Sequence, residues 1–342
     1  MKALFYPSFG QLLVNEQPIP AYNDSEVLLK VAACGICGSE LETFISKSMR
    51  RKPPVIMGHE FSGVIVKKGN AVEGWEPGMR VVSNSIISCG ECVRCRTGET
   101  NLCIQRQVFG MQHNGAFAEY VNVPAHCLIP VPESLSLKEA CLAEPLANAV
   151  HMVRMTSHIN IKRILVIGSG PIGLMAQQAF QSLRGASVIV ADLKEDRLQI
   201  AKKLGAKYVI NADSVNLTKK VSELVADEEI DVVIDAVGKK GTQSDALQLV
   251  RAGGSVILIG LQENAYSLRS YDIILPGKQV MGAYAATSED IVCALQMMTD
   301  KKTDVASWVN YYSLDNGVTA FKNMLDPKNQ HIKSVIIMDS NI

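Results

Sequence analysis

Residues 163–173 read RILVIGSGPIG and residues 187–192 read SVIVAD, and these two stretches decide the fold of the middle of the chain. Each begins with an apolar run of strand length, and residues 171–183 between them have the apolar spacing of a helix. The alternation continues with predicted helices at 194–206 and 242–250 and predicted strands at 208–211, 231–238, 253–260 and 279–284. The pattern predicts a parallel sheet covered by helices, spanning residues 148–284.

The turn after the first of these strands matches the pattern G-x-G-x-x-G. It consists of Gly168, Ser169, Gly170, Pro171, Ile172 and Gly173. In a strand–turn–helix setting, the first glycine permits a tight turn, the second lets a pyrophosphate approach the backbone, and the third lets helix and strand pack closely. The N–H groups at the helix N-terminus are available to bind phosphates. We therefore expect this loop to bind the pyrophosphate of a dinucleotide.

Asp192, at the end of the second strand, bears on which dinucleotide is bound. An acidic residue at this point accepts hydrogen bonds from the adenosine ribose, and its charge repels a 2′-phosphate. NAD is therefore favoured over NADP. Lys194 and Arg197 lie close enough in the sequence to weaken that preference, and Arg197 is a further candidate for a cofactor contact.

The chain before residue 148 has a different pattern. Short apolar stretches alternate there with Gly, Pro and Asn turn signals, at 26–33, 61–66, 80–83 and 118–123. This alternation predicts an antiparallel β domain. Beyond residue 288 the pattern predicts one more helix and a final strand at 334–338.

Four cysteines lie within fifteen residues, in the spacing C-x2-C-x2-C-x7-C. They are Cys89, Cys92, Cys95 and Cys103. Tetrahedral Zn²⁺ takes four such thiolates from a short loop, and with all four positions filled no site remains for water, so the sequence predicts a structural zinc. An iron–sulfur cluster is the alternative, because cysteine spacing alone does not choose the metal.

The overall composition is that of a folded protein of about two domains. The chain has 342 residues, of which 47% are apolar and 20% charged, and its net charge is zero. A neutral chain is not drawn to nucleic acid as a polyanion. Residues 1–16 lack the apolar core of a signal peptide, and no apolar run approaches the roughly 18 residues needed to span a bilayer. We expect a cytoplasmic protein that binds neither nucleic acid nor membrane.

As a whole, the chain resembles the medium-chain zinc-dependent alcohol and polyol dehydrogenases, from Met1 to about Met338. The resemblance includes the motif G-H-E-x-x-G at residues 58–63, the four-cysteine loop, the stretch GAFAEY at residues 115–120 and the glycine loop, all in the family's order. It implies a GroES-like, β-rich catalytic domain formed by residues 1–147 and completed by residues 285–342. A Rossmann domain of residues 148–284 would be inserted between these segments.

The resemblance also implies a second, catalytic zinc. Its ligands would be Cys37, His59 and Glu144, which leave one coordination position for water or the substrate oxygen. A glutamate followed by proline, as at Glu144, is found in the sorbitol and related polyol dehydrogenases, where simple alcohol dehydrogenases usually have cysteine. Glu60 matches an adjacent acid that can approach the metal, and it is an auxiliary ligand in this interpretation.

The family's mechanism is hydride transfer between a secondary alcohol and NAD, and three more residues match positions in its machinery. Ser39 matches the hydroxyl that receives the alcohol proton. Glu40 stands where the family usually has an aspartate that orients the zinc-bound histidine, and its extra methylene puts its distance to His59 in question. Lys333 matches a basic residue that contacts the cofactor pyrophosphate, although it could equally be a solvated lysine.

Three functions remain open at this point. The leading prediction is an oxidoreductase acting with NAD on a polyol, sugar alcohol or cyclitol. The segment EPLANAVH at residues 144–151 also resembles the threonine dehydrogenases, which oxidise an amino alcohol. A zinc- and nucleotide-binding protein without turnover is the third possibility, and the departure at Glu40 is its support.

Two further expectations concern the substrate and the assembly. Lys47, Arg50, Arg51 and Lys52 could clamp the phosphate of a phosphorylated sugar alcohol, although such charge runs are more often solvated. The predicted strand at 279–284 suits the edge of the parallel sheet, and the family commonly pairs such edges across a two-fold axis. We therefore expect a homodimer or homotetramer.

Overall fold

In the computed structural model, which describes residues 1–226, 228–265, 268–326 and 328–338, the chain forms two units. The first comprises residues 1–147, residues 285–301 and the tail from Val305. The second comprises residues 148–284 together with residues 302–304.

The first unit is built mainly of strands. Up to residue 147 its strands are β1 (Lys2–Tyr6), β2 (Leu13–Glu16), β3 (Glu26–Gly35), β4 (Val55–Ile56), β5 (Glu60–Lys68), β6 (Arg80–Ser83), β7 (Ile86–Ile87), β8 (Gln107–Val108), β9 (Tyr120–Pro124) and β10 (Leu128–Pro130). Its helices there are α1 (Gly38–Ser46), α2 (Val93–Arg96), α3 (Leu137–Ala140) and the start of α4 (Ala143–Met155).

The second unit alternates strand and helix. Its elements are β11 (Arg163–Ile167), α5 (Pro171–Arg184), β12 (Ser187–Asp192), α6 (Glu195–Lys203), β13 (Tyr208–Asn211), α7 (Leu217–Val225), β14 (Val232–Asp235), α8 (Lys240–Leu249), β15 (Ser255–Leu258), α9 (Tyr271–Ile274) and β16 (Gln279–Gly282). The chain then returns to the first unit with α10 (Ser288–Thr299), β17 (Val309–Ser313), α11 (Gly317–Leu325) and β18 (Lys333–Ile337).

The sheet of the second unit has the order β13-β12-β11-β14-β15-β16, and all its neighbours pair in parallel. Its central strands are apolar on both faces, as expected for a sheet that helices cover on both sides. Ile167 pairs with Ala191, so the glycine loop that follows β11 and the end of β12 meet at the same edge. This is the doubly wound, Rossmann-type sheet that the sequence predicts, and β16 lies at its edge as expected.

The main sheet of the first unit has the order β10-β6-β5-β3-β18-β17, with β9 also paired to β3. All these pairs are antiparallel except β17 with β18. Strand β18 comes from the end of the chain and pairs with β3, so the tail completes the sheet. Aromatic side chains hold the core, with the ring centroids of Phe61 and Phe109 5.2 Å apart and those of Phe117 and Phe321 5.8 Å apart.

The sequence pattern missed several elements, among them α1 and α9. Helix α7 was not predicted, and the tail holds β17 and α11 in addition to the predicted helix and final strand. Helices α7 and α11 have nine residues each, so each offers only about two and a half turns of apolar repeat to read from the sequence. In the described part of the chain, no helix is long and apolar enough to cross a membrane.

Candidate active site

The pairing of β3 with β5 brings Cys37 and His59 together. Gly35, the last residue of β3, lies opposite Glu60, the first residue of β5. Cys37 follows two residues after Gly35, and His59 directly precedes Glu60. As a result the ligand atoms of Cys37, His59 and Glu60 all lie within 4.8 Å of one another. Glycine at position 35 leaves room for the Glu60 carboxylate, because a Cβ there would lie 2.1 Å from Glu60 Oε2.

Glu40 reaches the histidine in spite of its extra methylene. Its Oε1 lies 3.2 Å from His59 Nδ1 and accepts a hydrogen bond of 2.7 Å from the Gly58 N–H. Its Oε2 accepts a hydrogen bond of 3.0 Å from the Cys37 N–H. With Nδ1 turned to this carboxylate, the Nε2 of His59 is left to face a metal. Glutamate at this position therefore holds the histidine as the family's aspartate is expected to do.

The charges around His59 favour a cation. Burial alone would lower the pKa of His59, but the carboxylate of Glu40 and the thiol group of Cys37 together hold it well above its ordinary value. Burial would raise the pKa of Glu40, yet its contacts with His59 and the charge of Arg51 lower it. The sulfur of Cys37, the ring nitrogen of His59 and the carboxylate of Glu60 form a donor set that suits Zn²⁺.

Glu60 has a buried ionic partner. The Lys333 ammonium donates to the Glu60 carboxylate and, at 2.9 Å, to the backbone carbonyl of Ile36. Lys333 is 1% exposed and Glu60 is also 1% exposed. Burial would lower the pKa of Lys333, and the charge of Glu60 raises it. The solvated-lysine alternative is therefore wrong, while the predicted pyrophosphate contact of Lys333 stays a prediction.

Glu144, the second residue of α4, is buried near the same cluster but outside the 4.8 Å group formed by the described ligand atoms. Burial raises the pKa of Glu144, and a hydrogen bond from the Ser85 hydroxyl opposes that rise. The charges of His59 and Glu60 also act on Glu144, which places all three in one electrostatic neighbourhood. No motif in the sequence indicated Ser85.

Ser39 lies in the first turn of α1, half-buried, two residues after Cys37. In the predicted basic cluster of residues 47–52, Arg51 is fully buried. The prediction that Arg51 helps to clamp a substrate phosphate is therefore wrong. Arg50 is exposed and pairs with Glu42 at 2.5 Å. The remaining members, Lys47 and Lys52, are exposed.

The four cysteines of the predicted structural site converge. Their sulfur atoms lie 3.5 Å apart for Cys92 and Cys95 and for Cys89 and Cys103, and 3.9 Å apart for Cys89 and Cys95 and for Cys92 and Cys103. Four sulfurs at the Zn–S distance of about 2.3 Å from one tetrahedral ion are about 3.8 Å apart. Backbone N–H groups of Cys95 and Ile104 lower the pKa of Cys92 to about 6, whereas burial and the neighbouring thiols raise the pKa of Cys95 to about 12, so the cluster stabilises a thiolate at Cys92 first. The geometry and charge of this loop fit a zinc ion.

The glycine loop of the second unit has the conformation that its sequence requires. Gly168 has φ +96°, and a Cβ on Gly173 would lie 1.8 Å from the Gly168 carbonyl oxygen. A Cβ on Gly170 would meet nothing within 4 Å, so the face of the loop is open at the glycine predicted to approach a pyrophosphate. Pro171 occupies the first turn of α5 with Ile172 beside it.

Asp192 is hydrogen-bonded to this loop. Its Oδ2 accepts from the backbone N–H of Ser169 at 2.6 Å and from the Ser169 hydroxyl at 2.8 Å, and its Oδ1 accepts from the Lys194 N–H at 3.0 Å. Arg197 lies half-buried on α6. The structure thus places Asp192 beside the glycine loop.

Comparison with known proteins matches both units. Residues 23–133 match the alcohol dehydrogenase GroES-like domain, and residues 171–300 match the zinc-binding dehydrogenase family. D-arabitol-phosphate dehydrogenase of Enterococcus avium is 33% identical over 326 residues, which are 94% of this chain and 92% of the relative. L-threonine 3-dehydrogenase of Pyrococcus abyssi is 33% identical over 94% of this chain and 87% of the relative. Sorbitol dehydrogenase of Bacillus subtilis is 30% identical over 98% of this chain and 97% of the relative.

Solved structures agree in fold. An enzyme of Escherichia coli CFT073 described as a short chain alcohol dehydrogenase, complexed with NADH, has a TM-score of 0.91 and 26% identity over 99% of each chain. A zinc-binding dehydrogenase of Sinorhizobium meliloti 1021 bound to NADP has a TM-score of 0.89 and 28% identity over 98% of this chain and 99% of its own. The chain therefore belongs to the medium-chain zinc-containing alcohol and polyol dehydrogenases.

Proposed function

We propose that this protein transfers a hydride between a secondary alcohol of a polyol, sugar alcohol or cyclitol and NAD. The observation that carries the proposal is the convergence of Cys37, His59 and the buried Glu60, at a site separate from the four-cysteine loop. Glu144 is buried within electrostatic reach of His59 and Glu60. The four cysteines would occupy all the coordination positions of a tetrahedral zinc ion. Cys37, His59 and Glu144 would leave one position for the substrate.

In this proposal Cys37, His59 and Glu144 hold the catalytic zinc, and Glu60 is an auxiliary ligand. A zinc ion bound there acts as a Lewis acid that lowers the pKa of the substrate hydroxyl. Glu40 keeps the His59 ring oriented through the Nδ1 contact at 3.2 Å. Lys333 holds the Glu60 carboxylate by an ion pair, which favours Glu144 as the third ligand.

Ser39 receives the proton of the alcohol. Its position in the first turn of α1, two residues from Cys37, supports this role. Glu42, three residues further along α1, is held in an ion pair with Arg50 and is not assigned the onward transfer of this proton.

The cofactor proposal is NAD rather than NADP, and it rests on Asp192. Among similar structures one holds NADH and another holds NADP, so the family does not decide the question. The carboxylate at the end of β12 supports NAD because it would repel a 2′-phosphate.

The polyol class is favoured by the glutamate at position 144 and by the polyol-dehydrogenase relatives. The alternative is an amino alcohol, which the threonine dehydrogenase relative supports at the same 33% identity. Turnover of purified protein with NAD should be measured over polyols, their phosphates, cyclitols and L-threonine by the absorbance of NADH. Preference for L-threonine would replace the polyol proposal, and no turnover with any of them would favour the non-catalytic interpretation.

A phosphorylated polyol is a second candidate substrate. The D-arabitol-phosphate dehydrogenase relative supports it, and Lys47, Arg50 and Lys52 remain exposed. If these side chains bind the phosphate, a polyol phosphate has a lower KM than its parent polyol, and the double variant Arg50→Ala with Lys52→Ala removes that advantage. The same variant should leave kcat for the parent polyol unchanged. Equal KM values in the unmodified protein would contradict this proposal.

We also propose that the protein forms a homodimer or homotetramer through the edge of the parallel sheet. Strand β16 pairs with β15 on one side, and Tyr271, Ile274 and Leu275 shortly before it are 73%, 67% and 79% exposed. Exposed apolar side chains beside a strand edge suit a second copy of the chain. Leu275→Glu should lower the mass measured by sedimentation, whereas Val292→Glu on α10 should not.

A further inference from the structure

Arg51 is the largest fully buried side chain in the described part of the chain. It is 0% exposed, whereas Arg50 and Lys52 on either side of it are exposed. A buried guanidinium is costly to desolvate unless hydrogen bonds and a negative charge compensate it. The groups that compensate Arg51 therefore indicate what it does.

The hydrogen bonds of Arg51 go to α1 and to the loop after β8. Its Nη1 donates to the Ser39 carbonyl at 3.1 Å and to the Thr43 hydroxyl at 2.5 Å. Its Nε donates to the Gly110 carbonyl at 2.7 Å. Gly110 packs tightly against the backbone before His59, since a Cβ on it would lie 2.9 Å from the Gly58 nitrogen. Arg51 thus ties the helix that follows Cys37 to the segment that carries His59.

The compensating charge belongs to Glu40. Arg51 and Glu40 are both 0% exposed, and the Thr43 hydroxyl that accepts from Arg51 in turn lies 3.2 Å from the Glu40 backbone carbonyl. The charge of Arg51 helps to lower the pKa of Glu40. Arg51 Nη2 has no hydrogen-bond partner among the described residues, so hydrogen bonds alone do not offset the burial of this cation. The second carboxylate of the site, Glu60, is also compensated by a buried cation, in its case through a direct ion pair with Lys333. Each of the two carboxylates thus has a buried cation.

We infer that Arg51 is a positioning residue of the catalytic metal site. It balances the charge of Glu40 and holds the first turn of α1, so that Cys37 and His59 keep the geometry of metal ligands. The inference rests on the proposed catalytic zinc at these residues. Arg51 touches neither substrate nor metal, and it acts through Glu40 and the Ser39 backbone.

The test compares Arg51→Met, Arg51→Lys and a control, Arg163→Met. Arg163 is 7% exposed and lies in the second unit, where it pairs with Glu228, so the control removes a buried arginine away from the site. Zinc per chain is measured during incubation with a chelator, followed by kcat, KM and thermal unfolding. The zinc of the four-cysteine loop serves as the internal reference.

We expect Arg51→Met to release the catalytic zinc about 10- to 100-fold faster than the unmodified protein. This is the usual loss of metal affinity when a residue that supports a metal ligand is replaced. At saturating zinc its kcat falls while KM for NAD is unchanged. Arg51→Lys keeps the charge and restores most of the zinc retention, and Arg163→Met releases zinc like the unmodified protein. A merely structural arginine would lower the unfolding temperature in both methionine variants without changing the zinc release.

If Arg51→Met does not fold, the double variant Glu40→Gln with Arg51→Met removes both charges, and Thr43→Val removes one acceptor of Arg51. We expect the double variant to fold and to release the catalytic zinc at least 10-fold faster, and Thr43→Val to release it several-fold faster. Two zinc ions in the unmodified protein, with release unchanged in the Arg51 and Thr43 variants, would overturn the inference alone. A single zinc in the unmodified protein would overturn the proposed function and this inference together.

Discussion

Replacing Cys92 by serine tests whether the two metal sites have separate roles. The loop from Cys89 to Cys103 has little regular structure, a four-residue helix and one 3-10 turn at Thr100–Leu102. Val93 is 59% exposed and Leu102 is 40% exposed, so apolar packing contributes little to holding this loop. Its four sulfurs, 3.5 to 3.9 Å apart, are what hold it together.

The size of the expected loss of zinc affinity follows from the binding free energy of a structural zinc ion. Such an ion contributes about 10–16 kcal/mol of apparent binding free energy, so one ligand of four is worth about 2.5–4 kcal/mol, or roughly 10²–10³ in affinity. Cys92→Ser should therefore lose the structural zinc to a chelator that the unmodified protein resists. Because the loop loses its only strong cross-link, trypsin should cut after Arg94 and Arg96 much faster than before.

The assay is zinc per chain together with trypsin digestion, and His59→Ala is the comparison. His59→Ala should also retain a single zinc, but it should keep the loop resistant to trypsin, keep NAD binding and lose turnover. The reasoning is refuted if Cys92→Ser keeps two zinc ions per chain, or if the two variants unfold alike. Iron in place of zinc would refute the metal assignment.

Three other substitutions test the cofactor site, the proton path and the sheet. Asp192→Ala should raise KM for NAD and reduce the discrimination against NADP, because it removes the ribose acceptor and the repelling charge; an unchanged preference would separate Asp192 from the ribose. Ser39→Ala should lower kcat by roughly 10²-fold with little change in KM for NAD, the usual size of a general acid–base contribution, and full turnover would remove Ser39 from the proton path. Burial alone would raise the pKa of Asp231, but hydrogen bonds from Arg251 and from the N–H groups of residues 162 and 163 hold it below its ordinary value of 3.8. Its contribution to stability is therefore complete above pH 3.8 and is lost as the pH falls further, so Asp231→Asn should lower stability by about 1–3 kcal/mol at pH 7 and by less in acid. Thermal unfolding of both proteins at pH 7 and at a pH below 3.8 checks this, and an equal loss of stability at the two pH values would contradict it.

Local patterns were sufficient for much of the fold. The apolar runs that end at Ile167 and Asp192 are strands within a residue of the prediction, and the glycine loop between β11 and α5 has the backbone that its spacing requires. The cysteine loop was also predictable, because its four ligands lie within fifteen residues and converge through local turns. Among the elements that were missed, α7 and α11 have nine residues each and β17 has five, so each gives only a short stretch of repeat to read from the sequence.

By itself the sequence determined the alternation of strands and helices around the glycine loop, the four-cysteine loop and the glycine loop itself, because each depends on residue types at short spacing. Cys37, His59 and Glu144 are scattered over more than 100 residues, and only the family resemblance suggested them as a ligand set. Only the tertiary structure decided which charges are buried. Lys333 meets Glu60 across 273 residues because β18 pairs with β3, a pairing that no periodicity specifies. Arg50, Arg51 and Lys52 are alike in sequence, yet only Arg51 is buried, because the packing of α1 against the loop at Gly110 places acceptors around that side chain alone. Burial of a charge depends on non-local partners that offset its desolvation, and these exist only once the chain has folded.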